Sequence, residues 1–230
     1  MRTIGLIGGM SWESSAHYYR IINQEVRRRL GELHSAKSVM VSLDFAEIAR
    51  LQRAGDWDAL AGHMATAVRD ATRGGAEPIV LCTNTMHCVA DAIADATAAP
   101  LIHIADATAQ AIKARGFTRV GLLGTAFTME QPFYLERLRE RHRLDAIVPE
   151  QDDRTIVHDV IYCELVQGVV RDASRAAYRD VIARLVARGA EGIILGCTEI
   201  MLLVRAEDSA VPLFDTTELH ALAAVDAALA

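Results

Sequence analysis

Residues 3–19, TIGLIGGMSWESSAHYY, are echoed at residues 119–134, RVGLLGTAFTMEQPFY, with Gly5 matching Gly121 and Gly8 matching Gly124, both 116 residues on. GAEPIVLCTNT at 75–85 is echoed by GAEGIILGCTEI at 189–200, a separation of 114, and PLIHIADAT at 100–108 by PLFDTTEL at 212–219, a separation of 112. Three matches in one order at nearly one offset imply two copies of a single unit of roughly 110 residues. At 230 residues and 51% hydrophobic composition the chain can bury a large core without disulfides or metals.

Within each copy short apolar runs alternate with longer amphipathic stretches. Strands are predicted at 3–7, 39–43, 78–82, 101–104, 119–123, 146–148, 192–195 and 211–214. Helices are predicted at 14–30, 58–74, 87–96, 105–115, 130–141, 154–166 and 175–188. The fold class expected from this alternation is α/β, with parallel sheets wrapped by helices and ligands held at the carboxyl ends of the strands.

A net charge of −6 and the absence of a Lys/Arg-rich block argue against a nucleic-acid partner. The four cysteines, Cys82, Cys88, Cys163 and Cys197, form no Cys-x2-Cys pair and match neither a disulfide framework nor a zinc site. They are expected to be free thiols, with Cys82, Cys88 and Cys163 as packing residues. The apolar part of MRTIGLIGGM is too short for a signal peptide, and no apolar run reaches the roughly 18 residues of a membrane span. A soluble, cytoplasmic protein is the expectation. Gly8-Gly9 follows a strand, but GLIGGMSW lacks the full G-x-G-x-x-G spacing and no phosphate-loop motif occurs, so no nucleotide is assigned.

Each copy ends its third strand in a polar cluster, VLCTNTMH at 80–87 and LGCTEI at 195–200, and the 114-residue offset aligns Thr83 with Cys197. If the copies face each other about a pseudo-twofold axis, the clusters project into one interdomain cleft and a ligand meets a reactive group on each face. That geometry suits inversion of a carbon centre, where one group removes a proton from one face while another delivers one to the opposite face. A thiol is a workable base for this, because its pKa of about 8.5 can be lowered by nearby donors. Cys197 can also be read as a small buried thiol, the usual place of a free cysteine.

GLIGGMSWES, CTNTMH at 82–87, GLLGTAFTM at 121–129 and GCTEI at 196–200 together resemble the aspartate/glutamate racemase family, across essentially the whole chain. The resemblance implies two similar Rossmann-like domains and racemisation of aspartate or glutamate without pyridoxal phosphate, any other cofactor or metal. The likeness is greatest to a bacterial subgroup acting on the L enantiomers, and family members are commonly homodimers. It further implies that the segment after Val211 crosses back, giving domains of 1–98 with 211–230 and of 99–210.

The family places a catalytic Cys in each half, and this sequence departs from that pattern. Cys197 fits the second motif, but Thr83 stands where the first Cys belongs and Cys82 is one residue back. Successive strand residues point to opposite faces, so Cys82 should face away from a cleft that Thr83 enters. Thr83 and Cys197 are therefore the expected catalytic pair. A hydroxyl is a far poorer base than a thiol, so the reading is of asymmetry, with good abstraction from one enantiomer and poor abstraction from the other. His87 could tune Thr83 or act as a structural hydrogen bonder.

Substrate binding is expected from Met10 and Ser11, Asn84 and Thr85, Thr125 and Thr128, and Thr198. Ser11, Thr85 and Thr128 can equally be read as N-caps. Glu199 could orient the Cys197 thiol or complement a helix dipole, and Asp44 could anchor a cleft loop or cap a turn. Residues 160–168, VIYCELVQG, carry no Lys or Arg where typical aspartate racemases supply a cation, which leaves Gln52, with Arg50 behind it, to read the substrate side chain. The alternatives are a single-Cys decarboxylase or isomerase of a small dicarboxylic acid, and a non-catalytic small-molecule binder.

Overall fold

The computed structural model describes residues 1–31 and 33–230 and divides into two compact units. The first holds residues 1–104 and 220–230, the second residues 105–219.

In the first unit β1 (Ile4–Gly8), β2 (Ser38–Ser42), β3 (Ile79–Leu81) and β4 (Leu101–Ile102) form a parallel sheet in the order β2-β1-β3-β4. Its central strands are apolar throughout because both faces are covered. On one face Ile7, Ile79 and Leu81 pack with Ile48 and Leu51 of α2 (Phe45–Ala54) and with Leu60, Met64 and Val68 of α3 (Trp57–Arg73). On the other, Ile4, Leu6, Val80 and Cys82 pack with Tyr18, Ile22 and Val26 of α1 (Trp12–Leu30) and with Ala221, Ala224 and Val225. The helix starts follow from local chemistry: the side chains of Ser11, Asp44 and Asp56 accept backbone N–H groups at the first turns of α1, α2 and α3.

The second unit repeats the plan. β5 (Arg119–Gly124), β6 (Asp145–Ile147), β7 (Ile193–Gly196) and β8 (Leu213–Asp215) form a parallel sheet in the order β6-β5-β7-β8. The helices here are α5 (Ile104–Ala114), α6 (Ala126–Glu130), α7 (Pro132–His142), α8 (Gln151–Cys163), α9 (Asp172–Ala187) and the short α10 (Ile200–Leu203); α4 (Ala90–Ala96) and most of α11 (Thr216–Leu229) belong to the first unit. Leu123, Ile193 and Leu195 pack with Val157 and Ile161 of α8 and Tyr178, Val181 and Leu185 of α9.

The repeat in the sequence thus becomes a repeat of topology, and Gly5 and Gly121 show why it is kept at the residue level. A Cβ on Gly5 would sit 2.7 Å from the Ala76 Cβ and 2.8 Å from the Ile79 Cδ1. One on Gly121 would sit 2.8 Å from the Ile193 Cδ1 and 2.9 Å from the Leu185 Cδ1. In both copies an isoleucine of the third strand lies across the first.

The expected boundaries, 98/99 and 210/211, move. β4 bonds to β3, which carries the first unit on to Ile104, and β8 bonds to β7, which keeps residues up to Leu219 in the second. Only from His220 onward does α11 belong to the first unit. The helix expected from 87 is a 3-10 turn, Thr85–Val89, followed by α4. Among the described residues no helix is long and apolar enough to cross a membrane.

Candidate active site

In the first unit the chain leaves β3 through Cys82, Thr83 and Asn84 and enters the 3-10 turn at Thr85. Cys82 is fully buried against α1 and α11, and burial pushes its thiol far up. The period of two therefore sends Cys82 into the core. Thr83 keeps a little exposure, 8%, and its main chain is held by His87, whose Nδ1–H donates to the Thr83 carbonyl at 2.8 Å. His87 Nε2 accepts the Ile104 N–H at 3.3 Å, so both ring nitrogens are engaged by backbone and the ring is neutral. Among the described residues, the Thr83 hydroxyl has no hydrogen-bond partner.

Met10 and Ser11 lie on the loop after β1, joined by a cis peptide bond. Gly9 adopts φ +88°, and its N–H donates to the Ser15 hydroxyl at 2.8 Å. Ser15 in turn donates to the Ser11 carbonyl at 2.9 Å, and the Ser14 hydroxyl lies 3.2 Å from the Ser11 carbonyl and 3.5 Å from that of Cys82. These contacts tie the loop to the motif at the end of β3. Gln52, at the end of α2, is buried and its Nε2 lies 3.2 Å from the Met86 Sδ, which brings it to the same cluster. Arg50 is exposed, and Asp44 caps α2, accepting the Ala46 N–H at 3.0 Å.

In the second unit β7 ends at Gly196 and the chain turns through Cys197, Thr198 and Glu199. All three are buried, Cys197 with 8% exposure. The Cys197 thiol donates to the Glu199 Oε2 at 3.0 Å, and the Thr198 hydroxyl donates to the same oxygen at 2.9 Å. Burial first, and then the carboxylate charge, hold the thiol well above its ordinary pKa, so Cys197 rests protonated. The backbone N–H groups of Thr198 and Glu199 bond to the sulfur and act in the opposite direction, favouring the thiolate. The equivalent turn after β5 holds Thr125, which N-caps α6 by accepting the Thr128 N–H at 3.3 Å; the two hydroxyls are also 3.3 Å apart.

The chain matches the Asp/Glu/hydantoin racemase family over residues 7–224. It belongs to that family. Over the full length of both chains it is 55% identical, with a TM-score of 0.94, to a Yersinia pestis protein crystallised as a candidate Asp/Glu racemase. It is 31% identical, again over both full lengths and with a TM-score of 0.86, to an aspartate racemase homologue from Pyrococcus horikoshii OT3. The fold is shared with the aspartate racemase of Picrophilus torridus, at 20% identity, TM-score 0.76, and coverage of 99% of this chain and 94% of that one. Racemase family membership and these neighbours support racemase activity, an isomerase chemistry.

Within this racemase-family fold the residues singled out in the sequence fall into two groups. Met10, Ser11, Gln52, Thr83, Asn84 and Thr85 gather in the first unit, and Thr125, Thr128, Cys197, Thr198 and Glu199 belong to the second. Of the residues that could be read as caps, Ser11 is the N-cap of α1, accepting the Ser14 N–H at 3.4 Å. Thr85 and Thr128 are not caps, since Asn84 and Thr125 hold those positions. Thr128 has no exposed surface, and its hydroxyl acts on Thr125. Cys163, expected to pack, is exposed at the end of α8, whereas Cys88 is partly buried, which pushes its thiol up to about 12.

Other residues of the two clusters were not visible in the motifs. His220 of α11 donates from Nε2 to the Ile102 carbonyl at 2.7 Å and accepts the Tyr18 hydroxyl at Nδ1 at 2.9 Å. The His87 ring packs at a tilt against His103, centroids 4.4 Å apart, and edge-on to His220 at 5.7 Å, so three imidazoles brace the Thr83 loop. His158 of α8 accepts the Ala126 N–H at 3.1 Å and fixes the turn that carries Thr125. Isolated histidines on helices give no signal of such partners until the chain is folded. Among the described residues, no group of three or more His, Cys, Asp or Glu is placed to hold a metal ion.

Proposed function

We infer that the protein racemises an acidic amino acid, aspartate or glutamate, by cofactor-independent proton transfer at Cα, with Cys197 and Thr83 serving opposite faces of the substrate. The observation that carries this reading is the Cys197 thiol donating at 3.0 Å to a buried carboxylate at the end of β7, in a chain of this family. A thiol in that setting can give up its proton locally and take one from carbon. Asn84, Thr85, Thr125 and Thr198 supply neutral donors for the substrate carboxylate and its enolate form. The Gln52 amide, buried beside Met86, is the group proposed to read the side-chain carboxylate.

The two faces are unequal. Cys197 has a carboxylate partner and Thr83 has none among the described residues. L and D enantiomers have the same free energy in water, so kcat/KM for interconversion is equal in both directions. The inequality shows instead in kcat and KM taken separately and in the rate of Cα exchange with solvent for each enantiomer. Incubating the protein with each enantiomer of aspartate and glutamate and following optical rotation tests the reading. Loss of rotation with at least one amino acid, abolished by Cys197→Ala, is the expected result; unchanged rotation with all four contradicts it.

The lone thiol also favours a second reading, a decarboxylase or isomerase of a small dicarboxylic acid. That reading requires carbon dioxide release or cis–trans isomerisation, with no exchange at an amino-acid Cα.

A further inference from the structure

The 114-residue offset that aligns Thr83 with Cys197 also aligns His87 with Met201, and the two turns are closed differently. After β7 the Cys197 carbonyl accepts the Ile200 backbone N–H at 3.2 Å, and Met201 packs against the apolar cluster of its unit. After β3 the His87 backbone N–H goes to the Asn84 carbonyl at 3.1 Å, and the Thr83 carbonyl accepts the His87 ring, Nδ1–H donating at 2.8 Å. A side chain does there what backbone does in the other copy.

We propose that His87 is a positioning residue for Thr83, holding its main chain so that the hydroxyl is aimed at the substrate Cα. The proposal rests on the racemase reading, since it concerns the face of Cα that Cys197 does not serve.

The Thr83 hydroxyl has no hydrogen-bond partner among the described residues, so it is aimed by its own main chain. A β-branched side chain is stiff at χ1, and the direction of the Cα–Cβ bond therefore largely fixes the oxygen. Two hydrogen bonds set that direction: the Thr83 N–H donates to the Leu81 carbonyl at 2.8 Å, and the Thr83 carbonyl accepts His87. The imidazole is itself pinned. Its Nε2 accepts the Ile104 N–H at 3.3 Å, His103 packs at a tilt with centroids 4.4 Å apart, and His220 lies edge-on at 5.7 Å. His220 is fixed in turn by the Ile102 carbonyl and the Tyr18 hydroxyl. A methionine in place of His87, as in the second copy, would give the Thr83 carbonyl no such donor.

Loss of aim on one face has a signature that loss of fold does not. Abstraction at Cys197 breaks the C–H bond, forms an S–H bond and leaves the electron pair on the substrate enolate. With Thr83 displaced, the enolate takes its proton back from the same sulfur, after that sulfur has exchanged with solvent. The enantiomer whose Cα proton faces Cys197 then exchanges without inverting. Exchange of the other enantiomer, and inversion of both, decline together.

The test is deuterium uptake at Cα in deuterated water, with inversion followed in the same samples, for wild type, His87→Gln and His87→Asn. The Gln amide oxygen reaches the place of Nε2 and can accept the Ile104 N–H, but leaves the Thr83 carbonyl without its donor. The Asn amide nitrogen lies where Nδ1 stood and keeps that donor. In His87→Gln, inversion and the exchange of one enantiomer should fall by about 10²-fold while the exchange of the other stays near wild type, and His87→Asn should recover most of the loss. Equal losses for both enantiomers in His87→Gln, no loss at all, or a His87→Asn variant as impaired as His87→Gln each overturn the proposal. Nitrogen-15 NMR of the wild-type histidine rings without substrate is expected to show Nδ1 of His87 protonated and Nε2 bare; a bare Nδ1 overturns the proposal whatever the substrate. Absence of exchange by wild type with all four enantiomers of aspartate and glutamate would defeat the racemase reading, whereas wild-type exchange with no selective effect in His87→Gln would defeat the role of His87 alone.

Discussion

Two side chains at matching strand ends differ in what surrounds them. The Cys197 thiol meets a carboxylate at 3.0 Å, whereas the Thr83 hydroxyl has no partner among the described residues and it is the Thr83 main chain that is held, its carbonyl by His87 and its N–H by the Leu81 carbonyl. Cys197→Ala is expected to lower turnover by at least about 10³-fold while leaving the fold intact, since a single small buried side chain is shortened by one sulfur atom. Full retention of activity would remove Cys197 from the mechanism. Thr83→Cys places a titratable group on the weak face. It should raise Cα exchange of the slower enantiomer by about 10²-fold, measured by deuterium uptake, while a large loss for both enantiomers would show that the hydroxyl has a task of its own. The displaced thiol cannot supply this function, because Cys82 is fully buried in the α1–α11 core.

Elements obey packing more than propensity at several points. All eight predicted strands are present within a residue or two; the central strands β1, β3, β5 and β7 are the plainest, because a buried parallel strand must be apolar along its length. The helices are less evenly legible. α1, α3 and α9 have one apolar stripe and polar remainders, which the eye finds. α11, TTELHALAAVDAAL, is alanine-rich on most faces and shows no stripe, and its residues serve both units. α2 falls outside the predicted helices: it has only ten residues, capped by Asp44, and its apolar stripe is short, Ile48 and Leu51 facing the core. At this scale Gly121→Ala is expected to destabilise by about 1–3 kcal/mol, since the new Cβ meets the Ile193 Cδ1 at 2.8 Å. Adding Ile193→Val removes that methyl and should recover part of the loss in urea melts; strict additivity of the two costs would disprove the contact. Asp56→Ala, which removes the cap that accepts the Ala59 N–H at 3.0 Å, should cost about 1 kcal/mol with no effect on catalysis.

Across the whole molecule the repeat was the most legible feature, because both copies must solve the same packing problem: Gly5 and Gly121 each leave room for an isoleucine of the third strand. Less legible was where each copy ends. Hydrogen bonds from β3 to β4 and from β7 to β8 place those strands, and His220, bonded to Ile102 and Tyr18, joins Ala221, Ala224 and Val225 in tying the last helix to the first unit. That histidine links the fold to pH. Burial lowers its pKa from 6.5 to about 4, so below 6.5 the unfolded chain binds a proton that the folded chain refuses. Its contribution is full above pH 6.5 and is lost as pH falls toward 4, a change of about 3 kcal/mol. Chemical denaturation across that window should show the decline, and His220→Asn should flatten it while lowering stability at neutral pH. An identical pH dependence in the variant would assign the decline to other groups.

The proposed chemistry is proton exchange between Cys197 and the Cα of an acidic amino acid, with Thr83 serving the opposite face. Its most direct test is proton NMR of the purified protein, without added cofactor, with each enantiomer of aspartate and glutamate in deuterated water. Loss of the Cα signal is expected, unequal between enantiomers and accompanied by inversion. Retention of the Cα proton in all four amino acids would contradict it.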